Sequence, residues 1–382
     1  MLGLNYFLEG EKSIMKQRQS ILFLGDTVCK TFDPLLFKLD ASIFDNTVNV
    51  ANNEGVVLKD SELRRLSDHK GIYSTPDIIK LYHSFNVSLV NLATNHMQDF
   101  GDKYGVNMLE FLQANQINSV GFDTDINKAQ QPFVDQKNNI VFYSFGASLT
   151  GLRYAKKNKP GVNPLEIEDL EAALKECERY PANMTIIFMF NWNYDMEDYP
   201  QPAIRQLAHY LIDHGVDAVI GFHPHVFQGM EIYKNKPIVY SLGNFYFPQE
   251  TYLNFSLRYP SKVNSQALVV LEFEEKVFIK STIHFTKFDP FSNILTLENS
   301  VSIDSDKKCQ RLFPMYHLTD NEYSQFFIQN RYIHYLYPIF YKFCGIGYHI
   351  NKIRVRILMW LVTLAVKLKL KKGYRNSMKD DE

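Results

Sequence analysis

The stretch from Asp217 to Phe247, DAVIGFHPHVFQGMEIYKNKPIVYSLGNFYF, decides how this chain is read. Its opening apolar run, Ala218 to Ile220, has the β-branched content of a buried strand and breaks at Gly221. His223 and His225 follow at once, separated by Pro224, which fixes the local backbone and forbids a helix. Two imidazoles are thereby presented from an irregular turn at a strand's carboxyl end, where ligands sit in open α/β sheets. Alone, such a turn is equally well a surface loop. The rest of the chain repeats the arrangement.

Working outward from it, Ile21 to Leu24 runs as a short strand into Gly25-Asp26, and Thr47 to Ala51 stops at Asn52-Asn53-Glu54-Gly55. Val87 to Leu92 ends in Ala93-Thr94-Asn95-His96, with Asp99 and Gly101 close behind. After strand Ile140 to Phe145, Met184 to Phe190 ends in Asn191-Trp192-Asn193-Tyr194-Asp195. Between these runs lie helical patterns. Thr75 and Pro76 open one, Met108, Leu109 and Leu112 stripe a second, and Asn163-Pro164 opens a third in which Glu166 completes a capping box ahead of Ile167, Leu170, Leu174 and Cys177. Ile204, Leu207 and Leu211 mark a fourth. Alternation of β and α at this spacing predicts an α/β fold, a parallel or mixed sheet covered by helices, with later strands at Lys236 to Leu242, Gln266 to Phe273 and Val277 to Phe285.

A chain of 382 residues with 46% hydrophobic content can bury a full core. Its formal net charge of −1 offers no broad basic field, so nucleic acid is not expected as a partner. Cys29, Cys177, Cys309 and Cys344 are too scattered for a zinc knuckle or a disulfide framework. Residues 1–19 read as an extension without the apolar region of a signal peptide, and no apolar run approaches the ~20 residues that cross a bilayer. The expected location is cytoplasmic or peripheral to a membrane.

The strand ends converge on one chemistry. Carboxylate, amide and imidazole groups without thiolate suit one or two divalent ions such as Mn²⁺, Mg²⁺, Fe²⁺ or Zn²⁺, and two such ions about 3.5–4 Å apart can clamp a phosphoryl group. Asp26, Glu54, Asn95, Asn191, His223 and His225 are the candidate ligands. His96, beside a ligand yet able to stay unbound, is the candidate general acid, with Asn95 next to it. Trp192 and Tyr194 are close enough in sequence to line a substrate site.

As an ordered set, LFLGD (Leu22 to Asp26), ANNE (Ala51 to Glu54), LATNHMQDFG (Leu92 to Gly101), the Gly121 to Pro132 segment, GFHPHVFQGME (Gly221 to Glu231) and YSLGNF (Tyr240 to Phe245) resemble the capsule-synthesis CapA family, of the PgsA type in poly-γ-glutamate synthesis. That family's domain is similar to the calcineurin-like metallophosphoesterases. The resemblance implies an α+β sandwich of mixed sheets flanked by helices over residues 20–298. It also implies metal or substrate roles for Asp26, Glu54, Asn95, His96, His223 and His225, and a turn at Gly243-Asn244 near the site, Asn244 being a substrate-binding candidate. The implied partners are an anionic extracellular polymer or its phosphorylated precursor, and capsule-synthase proteins. The chain departs from the family at Asn191-Trp192-Asn193, where relatives carry His-Trp-Gly, and in lacking the N-terminal membrane anchor that many of them have. Two function classes therefore stand: a metal-dependent phosphoesterase-like hydrolase, and a non-catalytic assembly factor that keeps the fold and binds polymer or synthase.

Residues 299–382 change character. Asn299 to Lys308 reads as a polar linker, followed by an aromatic and basic helical tail. Its apolar centre, Ile357 to Val366, is flanked by Lys352, Arg354 and Arg356 on one side and by Lys367, Lys369, Lys371 and Lys372 on the other. Such a segment is either a helix docked on the main domain or on a second subunit, or a peripheral membrane anchor.

Overall fold

The computed structural model describes residues 17–331 and 337–367; most of the N-terminal extension, and Lys369, Lys371 and Lys372 of the tail, lie outside the described residues. Two mixed sheets organise the chain. In the larger, nine-stranded sheet, Arg18–Thr27 is central: it runs parallel to Val48–Asn53, beyond which lie Val87–Asn91 and Asn118–Val120. Its other side pairs antiparallel with Ser265–Glu274, which leads through Val277–Asp289 to Ile294–Ile303. The six-stranded sheet has a parallel centre of Ile140–Gly146, Thr185–Asn191, Ala218–Phe222 and Lys236–Leu242.

Alternation along each strand sets the layers, because successive side chains point to opposite faces. Ile21, Phe23, Val50 and Leu89 of the large sheet meet Phe142, Ile187, Met189 and Ile220 of the smaller in one buried core. Leu22 and Leu24 face the other way, into a core with Ile78, Leu81, Met108 and Leu112 from the helices outside the large sheet. Phe188 and Val219 likewise meet Leu170, Leu174, Leu207 and Leu211 outside the smaller one. The expected α/β architecture of mixed sheets flanked by helices is the one observed. That there are two sheets was beyond periodicity, since a strand buried on both faces reads the same in either.

The stretch from Asp217 to Phe247 joins the two layers. Ala218–Phe222 is a strand of the smaller sheet, and Phe227–Tyr233 and Lys236–Leu242 form a hairpin in the same sheet around Lys234 and Asn235, both at positive φ as a two-residue turn requires. Gly243, at φ 70°, then turns the chain so that Asn244–Tyr246 pairs with Arg18–Thr27 of the other sheet. The crossing is tight. A Cβ on Gly25 would stand 2.0 Å from the Gly243 carbonyl oxygen, so only glycine lets the strands meet there.

Three local expectations are corrected. Glu166 is not the distal half of a capping box but the N-cap itself of Ile167–Cys177, and its carboxylate accepts instead from the Tyr154 hydroxyl (3.0 Å) and Lys352 Nζ (2.5 Å). The helix expected to open at Thr75 and Pro76 becomes regular two residues later, over Ile78–Ser84 with Asp77 as its N-cap, although the Thr75 hydroxyl does accept from the Asp77 N–H (3.3 Å) while donating to the Lys30 carbonyl (2.7 Å). Asn299 to Ile303 belongs to strand Ile294–Ile303, whose outer side is covered by Phe37–Lys38 only at Leu295 and Thr296, so the polar side chains beyond match an open edge; Asp306–Leu312 is helical, and no linker lies there.

The C-terminal helix, Ile346–Lys367, is docked by one face. Tyr348 and Val355 are buried with Tyr194, Ala203 and Phe340, and Lys352 reaches Glu166. Among the described residues, no helix is long and apolar enough to cross a membrane.

Candidate metal centre

Sheet register brings the polar strand ends into one row. Asp26 is level with Asn52 on one side and Asn244 on the other, and Asn52 with Asn91 beyond it. All are buried. The Asn52 amide donates to Asp26 Oδ1 at 2.7 Å and to Glu54 Oε1 at 2.9 Å, so one neutral group supports two carboxylates. Asn91 donates to Asn52 Oδ1 (2.6 Å) and accepts from the Ser144 hydroxyl (2.6 Å), which fixes the Asn52 side chain. Asn91 and Ser144 support the candidate site, and sequence reasoning missed them. Asn52 was visible at the strand end but looked like any turn amide. The signal lay in asparagines at the ends of two neighbouring strands, Asn52 and Asn91.

Two carboxylates so close and so deep cannot both ionise cheaply. Burial, and then the charge of Asp26, push the Glu54 carboxyl well above its ordinary value, against the pull of His225 and the Asn52 bond. His225 stands over the pair. Its Nδ1 lies 2.8 Å from Asn244 Oδ1 and 2.9 Å from Asp26 Oδ2. The ring N–H aligns with Asn244, leaving Asp26 Oδ2 in ionic contact but without an aligned donor. Burial alone would lower the imidazole; the Asp26 carboxylate beside it, with Glu54 and Asp195, overcomes this and raises His225 to about 9. Asn244, nominated to touch substrate, is instead 2% exposed and orients His225.

The His223-Pro224-His225 turn is held in an unusual conformation, with φ 98° at His223 and 59° at His225. Non-glycine residues rarely sit there, and such strain persists where surrounding structure enforces it. It separates the two rings: His223 Nε2 pairs with Asp195 Oδ1 at 3.0 Å, while His225 turns to Asp26.

His96 Nδ1 is 2.7 Å from Asp99 Oδ2, which is itself held by the Ile72 N–H at 2.8 Å, and His96 Nε2 points towards Glu54 Oε2 at 3.8 Å. Asn95 is half-buried on the same turn. Asn191 ends its strand level with Gly146 and Phe222, fully buried.

The two aromatic nominations are corrected. Trp192 is fully buried, stacked on Phe190 at 4.6 Å with its Nε1 donating to the Tyr240 carbonyl, so it has no face for a substrate. Gly221 makes room for it: a Cβ there would stand 2.3 Å from Trp192 Nε1. Tyr194 is 7% exposed, bonds the Pro338 carbonyl and packs on Phe340, seating the C-terminal segment.

Whether these residues suit a metal is decided by their unsatisfied atoms. Asp26 Oδ2, Glu54 Oε2, Asn95 Oδ1, Asn191 Oδ1 and His223 Nδ1 are buried without a hydrogen-bond partner. They belong to five of the six nominated ligands; other buried polar atoms, among them Tyr143 Oη, Ser281 Oγ and Thr286 Oγ1, are also without a hydrogen bond. Oxygen and imidazole donors fit a hard or borderline divalent ion. In their present positions, no three His, Cys, Asp or Glu side chains among the described residues are grouped to hold one. Asp26 and His225 are in direct contact with each other.

Residues 9–249 match the family model described as bacterial capsule synthesis protein PGA_cap. The PGA biosynthesis protein CapA of Bacillus subtilis (strain 168) is 28% identical over 230 residues, covering 59% of this chain and 58% of that protein. The capsule biosynthesis protein CapA of Bacillus anthracis is 28% identical over 208 residues, 51% of this chain and 48% of that protein. The chain thus spans about half the length of these curated relatives. Among solved structures, the calcineurin-like phosphoesterase YfkN from Bacillus subtilis is similar over 81% of this chain and 99% of that one, at 14% identity and a TM-score of 0.38, a likeness too loose to bear on the site.

Proposed function

We propose, because this chain belongs to the bacterial capsule synthesis protein family PGA_cap, that it serves capsule or exopolymer assembly, of the poly-γ-glutamate or polysaccharide type, as a divalent-metal-dependent phosphoesterase-like hydrolase. The observation that carries this reading is the meeting of Asp26, Glu54 and His225 at one row of strand ends, with buried atoms on Asp26, Glu54, Asn95, Asn191 and His223 that make no hydrogen bond. With His225 released from Asp26, these residues would hold one or two ions of the Mn, Mg, Fe or Zn kind. Such ions, when bound, supply Lewis-acid polarisation of a phosphoryl oxygen and a lowered pKa for bound water.

The chain's own groups do the rest. Asp99 holds His96 by Nδ1, which fixes the ring and leaves Nε2 as the nitrogen facing Glu54, positioned to carry a proton to a leaving oxygen. Asn52 holds the two carboxylates in place, and Asn244 aims His225. The partners in this reading are an anionic extracellular polymer or its phosphorylated precursor, capsule-synthase proteins and, through the C-terminal helix, a membrane surface.

A second reading is favoured by Asn191. An amide in place of the family imidazole is a neutral and weaker ligand, which suits an assembly factor that binds polymer or synthase without turnover. Metal analysis of protein purified without chelator, followed by assay on an aryl phosphate, separates the two. The hydrolase reading expects at least one divalent ion per chain and measurable turnover, and it expects His223→Ala with His225→Ala to abolish both while the fold persists. Metal without turnover supports the assembly factor; unchanged metal in the double variant sinks the site assignment.

A further inference from the structure

The C-terminal helix has a second face. Ile346, Ile350, Ile353, Ile357, Trp360 and Leu364 are exposed, Ile346 at 80% and Trp360 at 63%. Their spacing of four and three residues keeps them on one stripe. At 100° per residue, that stripe lies opposite Tyr348, Lys352 and Val355, which are buried against the body. A helix anchored by one side thus offers a continuous apolar ridge on the other, on a surface where isolated apolar residues are the norm.

We propose that this ridge lies in the headgroup region of an anionic phospholipid leaflet, holding the protein on the membrane by a helix that does not span it. Charge selects the occupant. The helix contains no Asp or Glu, Arg354 and Arg356 are exposed on either side of the stripe, and the sequence continues through Lys367, Lys369, Lys371 and Lys372. An anionic surface pairs with every one of these groups, and basic side chains can extend their stems from an apolar contact towards phosphate. A second copy would bring a helix with the same cations and no acid to meet them, so like charges would flank the contact. Trp360 adds an amphipathic ring of the kind that favours the bilayer interface.

The contact also orients the molecule. The helix is seated on Tyr194 and Phe340, and the residue after Tyr194, Asp195, pairs with His223. Membrane attachment through the ridge therefore holds the wall of the strand-end site that carries Asp195 on the membrane-bound side of the body. This inference does not depend on the metal reading.

The test uses the full chain with EDTA present, so that occupancy of the strand-end site plays no part. Wild type should co-sediment with vesicles of phosphatidylglycerol and phosphatidylcholine, and weakly or not at all with phosphatidylcholine alone. Ile353→Glu combined with Ile357→Glu changes only exposed positions (54% and 52%); its far-UV circular dichroism should match wild type while its partition falls at least about tenfold. Arg354→Ala should lower partition about fivefold. Wild type that stays in the supernatant, sediments equally with neutral vesicles, or is matched by the double variant overturns the proposal. So does a dimer in light scattering that the double variant dissolves, which would assign the ridge to a second copy.

Discussion

Metal binding should be strongly pH-dependent, and His225 sets the scale. The group that a metal must displace is the proton held on this imidazole, raised to about 9 by Asp26, Glu54 and Asp195 against the opposing effect of burial. Asn244 faces it as a neutral acceptor, and Phe247 and Tyr259 pack against the ring. Competition from one proton with that pKa weakens apparent affinity about 100-fold at pH 7 and about fourfold at pH 8.5, so the apparent Kd should tighten about 25-fold between them. Glu54, whose carboxyl is also raised, changes this in the same direction if it too must ionise. Titration calorimetry with Mn²⁺ in two buffers of different ionisation enthalpy reads both the Kd and the protons released. At pH 7 the expected release is about one proton or more per ion bound. An apparent Kd that is flat between pH 7 and 8.5, with no proton released, would refute the argument that His225 is a protonated partner of Asp26 awaiting a cation.

Other substitutions test the remaining roles. His96→Gln should keep metal but lose about 10²–10⁴-fold in hydrolysis of substrates with poor leaving groups, and much less with an acidic leaving group; equal losses would make His96 a binding residue. Asn191→His restores an imidazole at a fully buried strand end, and a tighter Kd for Mn²⁺ is expected, with no gain arguing that this strand end has drifted from the site. Trp192→Ala should lower folding stability by about 3–5 kcal/mol in denaturant melts, with KM for any aryl phosphate unchanged; a selective rise in KM would return Trp192 to the substrate.

Much of this molecule was legible in its sequence because strand ends are legible. Gly25-Asp26, Asn95-His96 and His223-Pro224-His225 each follow a run too apolar to be anything but a buried strand, and the structure puts each at such an end. Less legible was which ends are neighbours. Register, not sequence distance, makes Asp26 level with both Asn52 and Asn244. Trp192 misled because proximity along the chain says nothing of direction: in the extended strand that ends at Asn191, alternate side chains leave by opposite faces, and the next residue turned inwards to the Tyr240 carbonyl. The polar run at Asn299 misled because an exposed edge strand and a linker have the same composition.

Why asparagine recurs in the inner row follows from the same electrostatics. Asp26 and Glu54 share one amide, and every neighbour able to steady them on the strand side, Asn52 and behind it Asn91 and Ser144, is neutral. A lysine in place of Asn52 would neutralise both carboxylates permanently and so remove the charge that the proposed cation would meet. An aspartate there would add a third negative charge at a depth where even two raise Glu54. The amide N–H group donates to a single oxygen of each carboxylate and leaves the other oxygen of each, Asp26 Oδ2 and Glu54 Oε2, without a hydrogen bond. His225 now meets the first of these and His96 Nε2 stands 3.8 Å from the second. Negative charge is thus held in place by neutral groups and faced by imidazoles, side chains that must give up a proton before they can act as metal ligands.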